Sequence, residues 1–280
     1  MKSPVSEEFL GHRTATAESR SNALFPWPQL LYLRDLLITL VGREMKLRYK
    51  RSILGIAWSL LTPLAQLAVF YLIWDVLLPL NIPNYLSFLF SGMLAWGWFQ
   101  TSVYQATASV VENRELVKRP GFPIAVLPMV TVASHLIHFL FALPILFFIL
   151  LADGNRLSAT ALALPLVIAL QFVLTLSLVY FTATFQVTFR DTQHLVGVLL
   201  NFLFFLTPVF YDAKVIPAQY HTWYRLNPMV YVIESYRSIL LAGVLPAPKV
   251  LVAMSVGAIG FLSLGYYVFK RARHRFVDEL

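Results

Sequence analysis

His135 and His138 stand three residues apart in an apolar run, so on a helix they share one face. Ionisable groups at membrane depth are costly and often functional. A histidine pair there could relay protons, or each ring could simply hydrogen-bond a neighbouring helix. Carboxylates, the usual relay partners, are missing from the middles of the apolar runs: Asp75 lies near the end of the first and Glu112 at the end of the second. Nothing near the histidines supplies further metal ligands. The dipeptide Gly-Lys does not occur, so the phosphate-binding loop G-x-x-x-x-G-K-[ST] is absent. There is no cysteine, which removes thiol chemistry and disulfides. With no nucleophile elbow or carboxylate pair either, enzymatic activity is not expected of this chain.

Three other groups of residues could bind rather than react. Arg43, Lys46, Arg48, Lys50 and Arg51 form a basic cluster just before the first apolar run. Such a cluster attracts anionic lipid headgroups, and equally the diphosphate of a lipid-linked substrate. Trp96, Gln100 and Tyr104 follow i, i+4, i+8 spacing, and Tyr71 and Trp74 lie close together. Sugar rings stack on aromatic faces while their hydroxyls need polar neighbours, although interfacial belts and core packing are the common use of membrane aromatics. The stretch 110–123 alternates charges and then meets Pro120, Gly121 and Pro123. That pattern suggests a short helix with a firm stop, either a lever for a motor protein or an ordinary charged loop.

The elements that must position these residues are membrane helices. Of 280 residues, 58% are hydrophobic and 13% charged, against about 45–50% and about 25% in soluble domains. Only a bilayer accommodates that excess, because lipid lets a helix be apolar all round. Six runs are long enough to span: 53–78, 85–110, 124–151, 159–187, 195–210 (short) and 250–269. The stretch 211–248 mixes prolines, aromatics and charges with apolar patches, as short re-entrant helices would. Residues 29–51 carry Leu30, Leu33, Leu37 and Val41 on one helical face and Asp35, Arg43, Lys46 and Lys50 on the other, the pattern of an amphipathic interface helix. Residues 1–28 read as a flexible cytoplasmic tail without a signal peptide. The expected fold is therefore an all-α integral membrane protein with six spans over 52–280.

Charge placement orients the spans. Arg34, Arg43, Lys46, Arg48, Lys50, Arg51, Arg114, Lys118, Arg119, Arg190, Lys270, Arg271, Arg273 and Arg275 flank one side; Arg156, Lys214, Arg225, Arg237 and Lys249 flank the other. The positive-inside rule puts both termini in the cytoplasm. The net charge of +8 thus reports topology and headgroup contact, not nucleic-acid binding.

Several segments, spread over roughly residues 30–270, resemble one family. They are the run RYKRSILGIAWSLLTP at 48–63, with its basic residues, Ser52, Leu54, Gly55, Trp58 and Pro63; Glu112-Asn113 with Leu116-Val117-Lys118 and Phe122-Pro123; Phe189-Arg190-Asp191; and Pro208-Val209 with Tyr211, then Asn227-Pro228-Met229. In order and spacing they are similar to membrane permeases of type-2 ABC transporters that export lipid-linked polysaccharides (O-antigen, capsule, teichoic acid). The resemblance implies a homodimer in the bacterial inner membrane, paired with two copies of a separate subunit that binds ATP and Mg. It implies a coupling helix over 111–123, with Glu112, Asn113, Glu115, Leu116, Lys118 and Arg119 facing that subunit. It implies a gate at the outer mouth within 211–248 and around Pro208, Tyr211, Asn227 and Pro228. Tyr71, Trp74, Trp96, Gln100 and Tyr104 would line the glycan path, and the basic cluster would meet a polyprenyl diphosphate. Export of another lipid or drug, or a proton-coupled flippase built on the two histidines, are the competing expectations.

Overall fold

The computed structural model describes residues 27–52, 54–155 and 158–279, and all of their regular structure is helical. The tail expected over 1–28 lies outside the described residues except for Trp27 and Pro28, which begin the first helix.

That helix, α1, runs Trp27–Tyr49. Leu33, Leu36, Leu37, Leu40, Val41 and Met45 turn towards Val126 and Val130, so the apolar stripe is satisfied by a neighbouring helix along this part of its length. Leu30, Leu31 and Ile38 stay exposed. After a turn with Arg51 at φ 65° and a 3-10 turn Gly55–Ala57, α2 runs Trp58–Tyr71 and continues as a π-helical turn Leu72–Leu77. Residue 53, where the first apolar run begins, lies outside the described residues, and the α-helix of that run begins at Trp58.

Helix α3, Tyr85–Glu112, is the hub. Its 28 residues reach about 42 Å at about 1.5 Å per residue. It packs against α2, α5 (Val126–Ala152), α6 (Leu164–Thr188), α7 (Thr192–Leu206) and α9 (Pro228–Leu240). Small polar residues let its neighbours approach: Ser87, Ser91, Ser102, Thr107 and Ser109 are buried, as small residues are at membrane helix interfaces. Gly92 is required, since a Cβ there would stand 2.7 Å from the Val209 carbonyl oxygen. Between α3 and α5 sits α4, Arg114–Val117. Past the second long hairpin, 3-10 turns at Ala213–Val215 and Ala218–Tyr220 lead into the short α8, His221–Tyr224. Helix α10, Pro248–Glu279, lies along α6, where a Cβ on Gly265 would meet the Ser177 carbonyl oxygen at 2.7 Å.

Among the described residues, four helical stretches are long and apolar enough to cross a bilayer: Trp58–Leu77, Val126–Ala152, Ala159–Thr188 and Pro248–Phe276. Of the two other expected spans, α3 has the length but carries the buried serines and threonines that lower its hydropathy, and α7 has 15 residues. The outward faces of α2, α7 and α10 are apolar, with Val69, Leu72 and Val76, then Leu199, Phe202 and Phe205, then Val252, Val256 and Ile259 all exposed. Faces of that size do not stay in water.

Two segments differ from the sequence expectation in local form. Residues 111–123 are not one helix: Val111 and Glu112 finish α3, α4 is four residues long, and a turn follows. Asn113 causes the break by donating its side-chain N–H to the Ser109 carbonyl at 2.9 Å, and Gly121 at φ 78° ends any continuation. The fifth apolar run, expected to reach residue 210, is helical only to Leu206. Residues 207–210 turn inward, with Thr207 and Val209 fully buried.

Candidate functional site

The histidine pair belongs to a polar junction between three helices. His135 on α5 holds Nε2 3.0 Å from Gln105 Oε1 on α3, a geometry in which the imidazole N–H donates to the amide oxygen. Arg48 on α1 donates from Nη2 to the same Gln105 oxygen at 2.7 Å and pairs with Glu44 at 3.4 Å. Tyr49 Oη lies 3.1 Å from His138 Nδ1. Each histidine therefore bonds an adjacent helix, which was one of the two uses open to it. Beside this junction is a cavity of about 240 Å3 between α1, α3, α4 and α5, with Arg43, Glu44, Arg48 and Glu112 in its walls. Burial pushes the Glu44 carboxyl above its ordinary 4.5, and the neighbouring Arg48 only partly offsets that.

The basic cluster divides. Arg43, Lys46 and Lys50 are exposed along one side of α1 and line an open groove with Gly42. Arg48 turns the other way, into the junction. Arg51 occupies the left-handed turn after α1, exposed. The basic cluster thus contributes to two surfaces, an open groove on α1 and a junction that locks α1 to the bundle.

At the same end of the bundle, α4 presents charge on a small apolar anchor. Val117 is 3% exposed and Leu116 half-buried, while Glu112, Arg114, Glu115, Lys118 and Arg119 are all exposed. Asn113 caps the turn: its carbonyl accepts from the Leu116 and Val117 amides at 2.9 and 3.2 Å. The result is a rigid charged knuckle where α3 meets α5.

At the opposite end, the turn 207–210 is tied from three sides. Arg237, 9% exposed on α9, donates to the carbonyls of Pro208 at 2.6 Å, Val209 at 2.7 Å and Phe88 at 3.2 Å. Its guanidinium stacks 3.4 Å over the Phe88 ring. Tyr85 donates to the Phe210 carbonyl at 3.0 Å. Asn227 caps α9 by accepting from the Met229 amide at 3.0 Å and donates to Thr207 Oγ1 at 2.8 Å. Tyr211 donates to the Phe205 carbonyl at 3.1 Å. Pro208, Tyr211, Asn227 and Pro228 are thus brought together. Arg237, which holds them, was read from the sequence only as a flanking charge. Its signal was available: it is the lone cation between the apolar patches of α9.

The aromatic candidates fall in two groups. Trp74 stacks on Phe210 at 5.2 Å and Tyr71 on Tyr85 at 6.5 Å, beside the tied turn. Trp96 is 2% exposed and donates to Gln100 at 2.8 Å, which donates to Asn201 on α7 at 3.2 Å. Its ring has no free face in the single chain. Tyr104, further along the seam between α3 and α7, is exposed and packs on Gly197, whose missing side chain leaves the ring its space.

With this geometry in view, the comparison with known proteins is decisive. Residues 35–241 match the model of the ABC-2 type transporter family, which takes in α1 from Asp35 through α9. This chain belongs to the ABC-2 type transporter family. Its relatives include the O-antigen export system permease protein RfbA of Myxococcus xanthus, 35% identical over 90% of this chain and 98% of that one. The RfbA protein of Klebsiella pneumoniae is 30% identical over 89% of this chain and 96% of its own length. The polysialic acid transport protein KpsM of Escherichia coli is 24% identical over 72% of this chain and 79% of its own. The ABC-2 chain is accordingly a multi-pass membrane transport subunit, and the knuckle, the α1 junction and the tied turn all lie within the matched residues.

Proposed function

We propose that this chain is the permease of an ATP-driven exporter that moves polyprenyl-diphosphate-linked polysaccharide out of the cytoplasm across the bacterial inner membrane. The observation that carries this is 35% identity, over almost the whole of both chains, to a permease named for O-antigen export.

In this reading α3 and α7 join the four apolar stretches as spans, giving six. Local membrane thinning accommodates the short α7, and 207–210 folds back because Arg237 satisfies the carbonyls of Pro208 and Val209. Segment 211–248 re-enters from the outer side, and both termini are cytoplasmic. The chain works as a homodimer with two ATP-binding subunits that carry ATP and Mg. The exposed residues Glu112, Glu115, Lys118 and Arg119, with the half-buried Asn113 and Leu116 between them, meet those subunits. Arg43, Lys46 and Lys50 gather the diphosphate at the outward groove of α1, with Arg51 close behind and Arg48 anchoring the helix. Pro208, Tyr211, Asn227 and Pro228 form the gate, and Tyr71, Trp74, Gln100 and Tyr104 border the glycan path; Trp96 supports Gln100.

The test has two readouts. The tagged chain, purified from its native membrane, should carry a stoichiometric ATP-binding protein with ATPase activity. Deleting its gene should remove surface polysaccharide while lipid-linked polymer accumulates inside. A chain that purifies alone, or a deletion that leaves surface polysaccharide unchanged, overturns the reading.

A further inference from the structure

The tied turn has a second surface beside it that the path described above does not use. A cavity of about 600 Å3 opens between the 213–225 segment, α9 and the start of α10. That lies within the range of about 300–1,000 Å3 of small-ligand pockets. One wall is a helical stripe: Tyr231, Glu234 and Ser238 follow i, i+3, i+7 on α9 and so share a face. The other face of α9, with Met229, Val232, Ile233 and Tyr236, is buried in the core. The second wall is α8 and its end, with Tyr224 and Arg225, held in place by His221, whose Nε2 lies 2.9 Å from the Ile216 carbonyl oxygen.

The chemistry of the lining is mixed. Glu234 and Arg225 make no ion pair with each other or with any other group among the described residues. The Tyr224 hydroxyl is buried and has no hydrogen-bond partner among the described residues, an arrangement that costs about 1–3 kcal/mol unless a ligand or water supplies one. A small inorganic anion would meet Lys214 and Arg225 but be opposed by Glu234, and would leave the Tyr231 wall uncovered. An apolar guest would leave the tyrosine hydroxyl orphaned. A pyranose suits all of them: its hydroxyls donate to the carboxylate and accept from the guanidinium and the phenol, and its apolar face lies on an aromatic ring.

We propose that this cavity is a saccharide-binding site on the outer face, taking a sugar unit of the glycan as it leaves the mouth. The proposal rests on the exporter reading above. Capture there biases the emerging chain against sliding back, so each power stroke in the cytoplasm yields net outward movement.

The test uses the complex of this chain with its ATP-binding subunit in lipid nanodiscs. The probe is the polysaccharide of the producing cells, freed of lipid by mild acid and end-labelled for equilibrium dialysis. The wild-type complex should bind it saturably. Glu234→Gln and Tyr231→Ala should weaken binding about tenfold or more. Tyr224→Phe, which removes one oxygen and leaves the packing alone, should weaken it about threefold to tenfold, the effect of one hydrogen bond. Gln219→Ala, exposed and outside the cavity, should bind as wild type. Absence of saturable binding, or equal affinity across all variants, overturns the site. If deletion of the chain removes surface polysaccharide while the variants bind normally, only the site fails. If deletion leaves surface polysaccharide in place, the exporter reading fails and the site with it.

Discussion

Arg237 ties α9 to the turn 207–210 and to α3 through three hydrogen bonds and a cation–π contact. It donates to two backbone carbonyls, those of Pro208 and Val209, that no helix satisfies, and to that of Phe88 within α3; a buried carbonyl left without a donor costs about 1–3 kcal/mol. Arg237→Leu should therefore prevent accumulation of folded protein. Arg237→Lys should fail nearly as badly, because an ammonium is a point donor where a planar fork spans Pro208 and Val209. Fluorescence-detected size-exclusion of detergent extracts reads both, and a monodisperse Lys variant at wild-type yield would contradict the account. Glu44 gives a pH-dependent prediction. Its carboxyl is raised by burial, so the folded state binds a proton more tightly than the unfolded chain. The sign follows: its contribution is most favourable below 4.5 and becomes a cost as pH rises through the folded value. Glu44→Gln should remove that slope and make α1 better docked than wild type at neutral pH, read as slower proteolysis between α1 and α2. Sequence alone read Arg237 only as a flanking charge and did not single out Glu44, because what gives them meaning is backbone carbonyls and helices far along the chain.

At the level of elements, legibility followed periodicity. Helix α1 carries Leu33, Leu37 and Val41 at helical spacing, the periodicity that marks a helix in the sequence, and it runs Trp27–Tyr49. The boundaries of α2 and α7 were less readable. Apolar residues continue through both ends, and only tertiary partners decide where the helix stops: Arg237 and Tyr85 capture the carbonyls of 208–210 and turn the chain inward. Segment 111–123 shows the same competition on a smaller scale. Its charges and prolines signalled a short helix, but Asn113 bonding back to Ser109 split it into the end of α3 and the four-residue α4. The consequence is mechanical. If 112–119 is the motor contact, a knuckle anchored by Val117 would transmit a push to α3 and α5 together, the two helices that meet at its base. Glu115 is exposed and makes no ion pair among the described residues, so Glu115→Lys should leave insertion and yield unchanged. In the reading of 112–119 as the motor contact, it should lower export and reduce the stimulation of ATPase by the permease. Wild-type export from that variant would remove Glu115 from the contact.

At the scale of the whole molecule, two ends of the bundle are separated by the length of α3. The knuckle and the basic groove of α1 occupy one end; the tied turn and the 600 Å3 cavity occupy the other. Export needs those ends on opposite sides of the bilayer, with the knuckle facing ATP. The basic residues around 43–51, 114–119 and 270–275 argue for that end being cytoplasmic, and the chain itself makes the arrangement testable. It contains no cysteine, so single introduced thiols need no background correction. Lys118→Cys and Gln219→Cys both replace exposed residues. In intact spheroplasts a membrane-impermeant maleimide should label the thiol at 219 and spare the one at 118, and permeabilisation should expose both. The reverse pattern would invert the chain and leave the knuckle out of reach of any cytoplasmic motor. Labelling of both without permeabilisation would mean that 219 and 118 share one side, and would overturn the six-span reading in which α5, α6 and α7 each cross between them.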